Sequence, residues 1–176
     1  MSNQRVYIGI DPGTKGFIAV NNGQNVEFLS INDNDFYAIS DFLTNIKEKY
    51  NNVVCVMEEV HAIFGASAKS TFSFGEINGV LKGLLMANKI PYHLVQPKNW
   101  QKEMWDNKDM DASYTIQMRN GKEISKKVVN TKQTSINAAK RLFPTIDLRK
   151  TTKCKNIDDN KCDSLLLSEY GRRKNL

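Results

Sequence analysis

RVYIGIDPGT, running from Arg5 to Thr14, is the stretch from which the rest of the chain reads. Val6, Ile8 and Ile10 make a period-two apolar stripe, and Pro12-Gly13 stops it, so the segment is predicted to be a strand followed by a turn. Asp11 then lies at a strand end. Working outward, Gly16 to Val20 and Asn25 to Ile31 are further strand-like runs joined by Asn21-Asn22-Gly23, a hairpin turn in which glycine accepts positive φ. Three antiparallel strands are expected at the N-terminus.

Ile39, Leu43, Ile46 and Tyr50 recur at helical spacing behind the Asx-rich stretch 32–35, which offers several N-caps. Val53 to Met57 is apolar without alternation, as befits a central strand covered on both faces, and it runs into Glu58-Glu59. A second acid thus falls at a strand end. From 67 to about 89, Phe74, Ile77, Leu81, Leu84 and Leu85 fit a helix, and Gly75, Gly79 and Gly83 suggest close packing on a sheet. Pro91 opens a strand, Tyr92 to Val95, which Pro97 closes before a short helix from Lys98 to Trp105. Between Ala112 and Val129, Tyr114, Ile116 and Met118 alternate with polar residues and Asn120-Gly121 supplies a turn, so an inserted β-hairpin is expected near 114–128. Helices over about 131–142 and 158–172 complete one α/β domain covering 1–176.

The 176 residues are 40% hydrophobic and 25% charged, which suits an ordinary globular domain and excludes disordered or fibrous classes. Lys and Arg number 25 against 19 Asp and Glu, giving a net charge of +6 that favours a polyanionic partner. No apolar run approaches the ~18 residues of a membrane span and no signal-peptide layout is seen, so a cytoplasmic protein without a membrane partner is expected. Cys55, Cys154 and Cys162 lack paired spacing and are read as reduced thiols.

The acids form the informative constellation. Asp11 and Glu58 end apolar strands, while Asp159 and Asp163 lie four apart on the last helix and hence on one face. Each alone also suits a bland role: a turn, a strand exit, or a helix start where acids favour the dipole. Together, at the ends of two adjacent parallel strands and a terminal helix, they can meet at one point. A hard divalent cation with oxygen ligands would relieve the repulsion between them.

Several motifs carry a resemblance. Ile8-Gly9-Ile10-Asp11-Pro12-Gly13-Thr14, Val56-Met57-Glu58-Glu59-Val60 and Asp159-Asn160-Lys161-Cys162-Asp163-Ser164-Leu165 resemble, in order and spacing, the acidic segments of RuvC-type Holliday junction resolvases. Phe72-Ser73-Phe74-Gly75, Gly79 and Gln96-Pro97-Lys98-Asn99-Trp100 resemble the phage and prophage branch. The resemblance spans about residues 5–172 and implies an RNase H-like fold with a mixed five-stranded sheet, three antiparallel N-terminal strands and two parallel ones. It implies a metal-dependent endonuclease with Asp11, Glu58, Asp159 and Asp163 holding two Mg²⁺ or Mn²⁺ ions. Glu58 matches the family's acid two positions before Val60. The family's earlier helix acid usually stands three residues before the later one, where this chain has Asn160; Asp159 takes that place here, with Asp158 in reserve. Lys98 and Lys132 match phosphate-contacting lysines, and His61, with Phe64 three residues on, matches the position of an aromatic wedge.

The implied substrate is branched DNA, four-way junctions above all, cut in pairs by a homodimer with the 67–89 helix near its interface. Two other readings remain open: a YqgF-type nuclease acting on RNA, suggested by Asp11-Pro12-Gly13-Thr14-Lys15, and a non-catalytic module that binds branched DNA. The same turn occurs in actin-like and sugar-kinase ATPases, which need two such domains.

Overall fold

A computed structural model describes residues 5–60, 67–119 and 122–176. Five strands form the main sheet: β1 (Val6–Ile10), β2 (Phe17–Asn21), β3 (Val26–Ser30), β4 (Val53–Glu58) and β5 (Tyr92–Val95), in the order β3-β2-β1-β4-β5. β1, β2 and β3 pair antiparallel, while β4 joins β1, and β5 joins β4, in parallel. The mixed sheet expected from the sequence is therefore present.

Both central strands are covered on both faces. Val6, Ile8 and Ile10 of β1, with Val53, Cys55 and Met57 of β4, face a core completed by α1 (Phe36–Lys49) and α2 (Ala68–Ala87). Asp35 caps α1 by accepting from the Ala38 N–H at 2.8 Å, and Ile39, Leu43 and Ile46 point inward at helical spacing. The opposite face packs Ala19 and Val56 against α3 (Pro97–Met104), α4 (Thr131–Leu142) and α5 (Asp159–Lys174), with Trp100, Ala138, Leu165 and Leu166 buried between them.

Two glycines let α5 approach the sheet. A Cβ on Gly9 of β1 would stand 1.9 Å from the Ser164 carbonyl oxygen, and one on Gly171 would stand 2.7 Å from Val56 Cγ2. The α5 backbone thus rests directly on β1, which brings the start of that helix to the strand ends. The expectation that Gly75, Gly79 and Gly83 pack on the sheet is overturned: a Cβ at any of them would meet nothing within 4 Å. Leu81 and Leu85 turn inward from α2 instead, so the glycine row lies off the buried face.

The expected hairpin is also present, as a separate two-stranded sheet of β6 (Ala112–Arg119) and β7 (Lys122–Val129). A single turn at Asn107–Asp109 precedes it and is clamped to α4: Arg141 Nη2 lies 2.6 Å from the buried Asp109 carboxylate, and Asn137 Nδ2 donates to the Asp109 carbonyl at 2.9 Å. Among the described residues no helix is long and apolar enough to cross a membrane.

Candidate active site

The parallel pairing of β1 with β4 sets Ile10 beside Met57, so the next residues, Asp11 and Glu58, leave the sheet as neighbours at its carboxyl edge. The start of α5, lowered onto β1 through Gly9, adds Asp159 and Asp163. The four acids singled out from the sequence are brought into one electrostatically coupled group.

That coupling shows in their acidities. The Asp11 carboxyl is pushed up to about 7, first by burial and then by Glu58, with Asp159 and Asp158 adding to the effect and the Gly13 backbone N–H opposing it. Glu58 is raised by burial, against the hydrogen bond from Trp100. Asp163 is raised well above the usual carboxylate range by burial, against a hydrogen bond with Ser135, and the charges of Asp11, Glu58 and Asp159 raise it further. Its Oδ1 is buried without a hydrogen-bond partner. Desolvated carboxylates so near one another work against the folded state when all are charged.

Neighbouring side chains also hold Glu58 and Asp159. Trp100 of α3 donates its indole Nε1–H to Glu58 Oε2 at 2.7 Å. The ring is fully buried, and its polar edge also fixes a site carboxylate. The indole N–H is a donor that needs a partner when buried, and that chemistry was the one available clue. Lys132 Nζ lies 2.8 Å from Asp159 Oδ2, with the lysine side chain 75% exposed, so the pair is solvent-screened and easily exchanged. Among the described residues no three Asp, Glu, His or Cys side chains form a compact ligand cluster.

Asp158 has a different task. Its Oδ1 accepts from the backbone N–H of Asn160 at 3.0 Å and of Lys161 at 3.1 Å, which caps α5 and satisfies two of its free donors. Asn160 faces a groove of about 890 Å³ along α2, lined also by Gly13, Thr14, Lys15, Lys69 and Asn78. Lys98 is exposed on the first turn of α3, two residues before Trp100. His61 and Phe64, expected near DNA, lie outside the described residues.

Sheet order, parallel centre and strand-end carboxylates together define an RNase H-like α/β domain. Solved structures share that architecture over nearly the whole chain. Thermus thermophilus RuvC in complex with Holliday junction substrate matches with a TM-score of 0.56 and 10% identity, covering 97% of this chain and 96% of that one. A second Thermus thermophilus RuvC structure matches with a TM-score of 0.54 and 12% identity, at the same coverage. What is shared at such identities is the fold. No protein-family model matches the sequence, and neither does any curated protein.

Proposed function

We propose that the chain is a divalent-metal-dependent DNA endonuclease that resolves four-way junctions, and other branched DNA, by paired phosphodiester hydrolysis. Recombination, repair or phage DNA processing is the setting such an activity serves. One observation carries the reading. Asp11 and Glu58 leave adjacent parallel strands at the carboxyl edge of the sheet, and both charges raise Asp163, whose Oδ1 is buried without a hydrogen-bond partner.

The donor set fits Mg²⁺ or Mn²⁺. All four groups offer carboxylate oxygen, the preference of hard cations, and a cation would remove the repulsion that raises Asp11 and Asp163. Asp11, Glu58, Asp159 and Asp163 are assigned as ligands, with Asp158 left as the helix cap. Two bound ions would supply an activated water and neutralise charge on the phosphodiester.

The protein's own groups do the rest. Trp100 fixes the orientation of Glu58, and the Oδ1 of Asp163 is buried away from bulk water. Lys132, exposed and paired with Asp159, can exchange that carboxylate for a DNA phosphate, and Lys98, Lys15 and Lys69 add positive charge beside the acids and the groove. Paired cuts on a two-fold symmetric junction call for a homodimer. The outer face of α2 supports one: Phe72 is 75% and Met86 61% exposed, and the glycine row leaves open space for a close-packed neighbour.

Nicks mapped on labelled linear duplex, fork and four-way junction, with and without Mg²⁺, test the reading. Symmetric metal-dependent cuts at the branch are the expected result. Binding without cutting in either Mg²⁺ or Mn²⁺ would leave a non-catalytic module, and selective cutting of structured RNA would indicate an RNA nuclease.

A further inference from the structure

The β6–β7 ribbon offers a surface that the carboxylate site does not use. Its strands are eight residues each, so it extends roughly 25 Å. Residues 112–118 and 123–128 are exposed on both faces. Tyr114 and Ile116 are each 71% exposed and Met118 67%, and the period-two register puts all three on one face. A lone two-stranded ribbon is marginal in water, and a contiguous apolar row on it marks a contact surface.

The ribbon's root is fixed at the rim of the acid site. Asn130 donates its backbone N–H to the Asp111 carbonyl at 2.8 Å and its Nδ2 to Asp111 Oδ2 at 2.9 Å, and the Asp111 N–H donates to Thr134 Oγ1 at 3.1 Å. The Arg141–Asp109 clamp holds the preceding turn. Two residues past Asn130 stands Lys132, bound to Asp159. The root therefore stands beside the Lys132–Asp159 pair.

Charge selects the occupant. Residues 112–129 contain Arg119, Lys122, Lys126 and Lys127 against Glu123 alone, half of the chain's net excess in about a tenth of its length. Lys127 pairs across from Tyr114 and Lys126 across from Thr115, so the two lysines project from opposite faces. A second copy of the ribbon would bring like charges together. A duplex offers phosphates on both walls of a groove, and the major groove admits a two-stranded β-ribbon.

We propose that the 112–129 ribbon is a DNA-binding arm that lies in a groove of one duplex arm of the branched substrate, beyond the cut site. Lys126 and Lys127 meet the flanking phosphates, and Tyr114, Ile116 and Met118 lie against sugar and thymine-methyl surface. At its length the arm follows about seven base pairs. The proposal rests on the nuclease reading above.

Two variants test it: replacement of 113–128 by a short Gly-Ser turn, and Lys126→Ala with Lys127→Ala. Each is compared with the wild type on a four-way junction with long arms, in EDTA so that no cutting intervenes. Sedimentation and thermal melting are followed alongside. The double variant should reduce the slope of log K against log salt by about two, one per phosphate contact. The deletion should uncover about seven base pairs of one arm to hydroxyl radicals while the footprint at the branch persists. An unchanged slope and footprint overturns the arm. So does a deletion that abolishes self-association while leaving the footprint intact, which would give the ribbon to a second copy. Wild-type cutting with unaltered variant binding overturns the arm alone, whereas no wild-type junction binding overturns the nuclease reading with it.

Discussion

Trp100 Nε1 donates to Glu58 Oε2 at 2.7 Å from a fully buried ring, which also meets Trp105 edge-on at 6.1 Å between centroids. A core side chain thus sets the direction of a site carboxylate. Trp100→Phe keeps the apolar body and removes the donor. Outer-shell partners of metal ligands are typically worth about 10- to 100-fold in metal affinity or activity, and a loss of that size is expected in a Mg²⁺ titration of cleavage. The bond also holds the Glu58 pKa down against burial, so its removal should move the acidic limb of the pH–rate profile to higher pH. If both measurements match the wild type, Glu58 is oriented by something other than the indole.

Asp11 makes stability and function oppose each other. Its carboxyl stands near 7 in the folded chain against an ordinary value of 3.8, so the folded state binds its proton more tightly than the unfolded state does. That contribution is fully present below pH 4 and is lost as pH rises through about 7. Glu58 and Asp163 shift in the same direction. Asp11→Asn should therefore melt higher than the wild type at pH 8 in EDTA, yet lose metal-dependent cutting by about 100-fold or more. A lower melting temperature for Asp11→Asn under those conditions would show that the carboxylate is not a burden to the fold.

Gly9 is where α5 touches the sheet. Its added Cβ would overlap the Ser164 carbonyl at 1.9 Å and the Ser168 nitrogen at 2.4 Å, both backbone atoms that cannot rotate away. Gly9→Ala should destabilise the protein by at least the ~1–3 kcal/mol typical of overpacking, read as a reduced denaturation midpoint in urea. Gly83→Ala meets nothing within 4 Å inside the chain and removes a glycine from a helix interior, so it should leave the monomer fold equally or more stable.

Met86 probes the proposed dimer. It is 61% exposed on α2, and Met86→Glu should alter monomer stability by less than about 0.5 kcal/mol, as surface changes usually do. If α2 lies at the interface, sedimentation should shift toward monomer and paired cuts should give way to single nicks. Retention of the dimer would place the interface elsewhere.

Much of this arrangement is legible in the chain. Val6, Ile8 and Ile10 alternate, Val53 to Met57 do not, and each run ends in an acid, so strand type and acid placement follow from local pattern. Asp159 and Asp163 share a face for the same local reason. Trp100 and Glu58, 42 residues apart, have no such signature. Nor does the role of Asp158: only cap geometry separates it from Asp159, because both are aspartates at the same helix start. The glycines of α2 misled for a related reason, since spacing fixes a helix face but not the neighbour that face meets.

The sequence by itself determined the order and type of the elements, the hairpin insertion and the acids at the strand ends, because these depend on periodicity and turn chemistry within a few residues. Tertiary structure alone decided how near the acids come and what holds them. Parallel register put Asp11 beside Glu58, Gly9 let α5 lower Asp163 into place, and Trp100 and Lys132 took hold of Glu58 and Asp159. Those are contacts between distant segments, and burial among them, not residue type, is what lifts Asp11 to about 7.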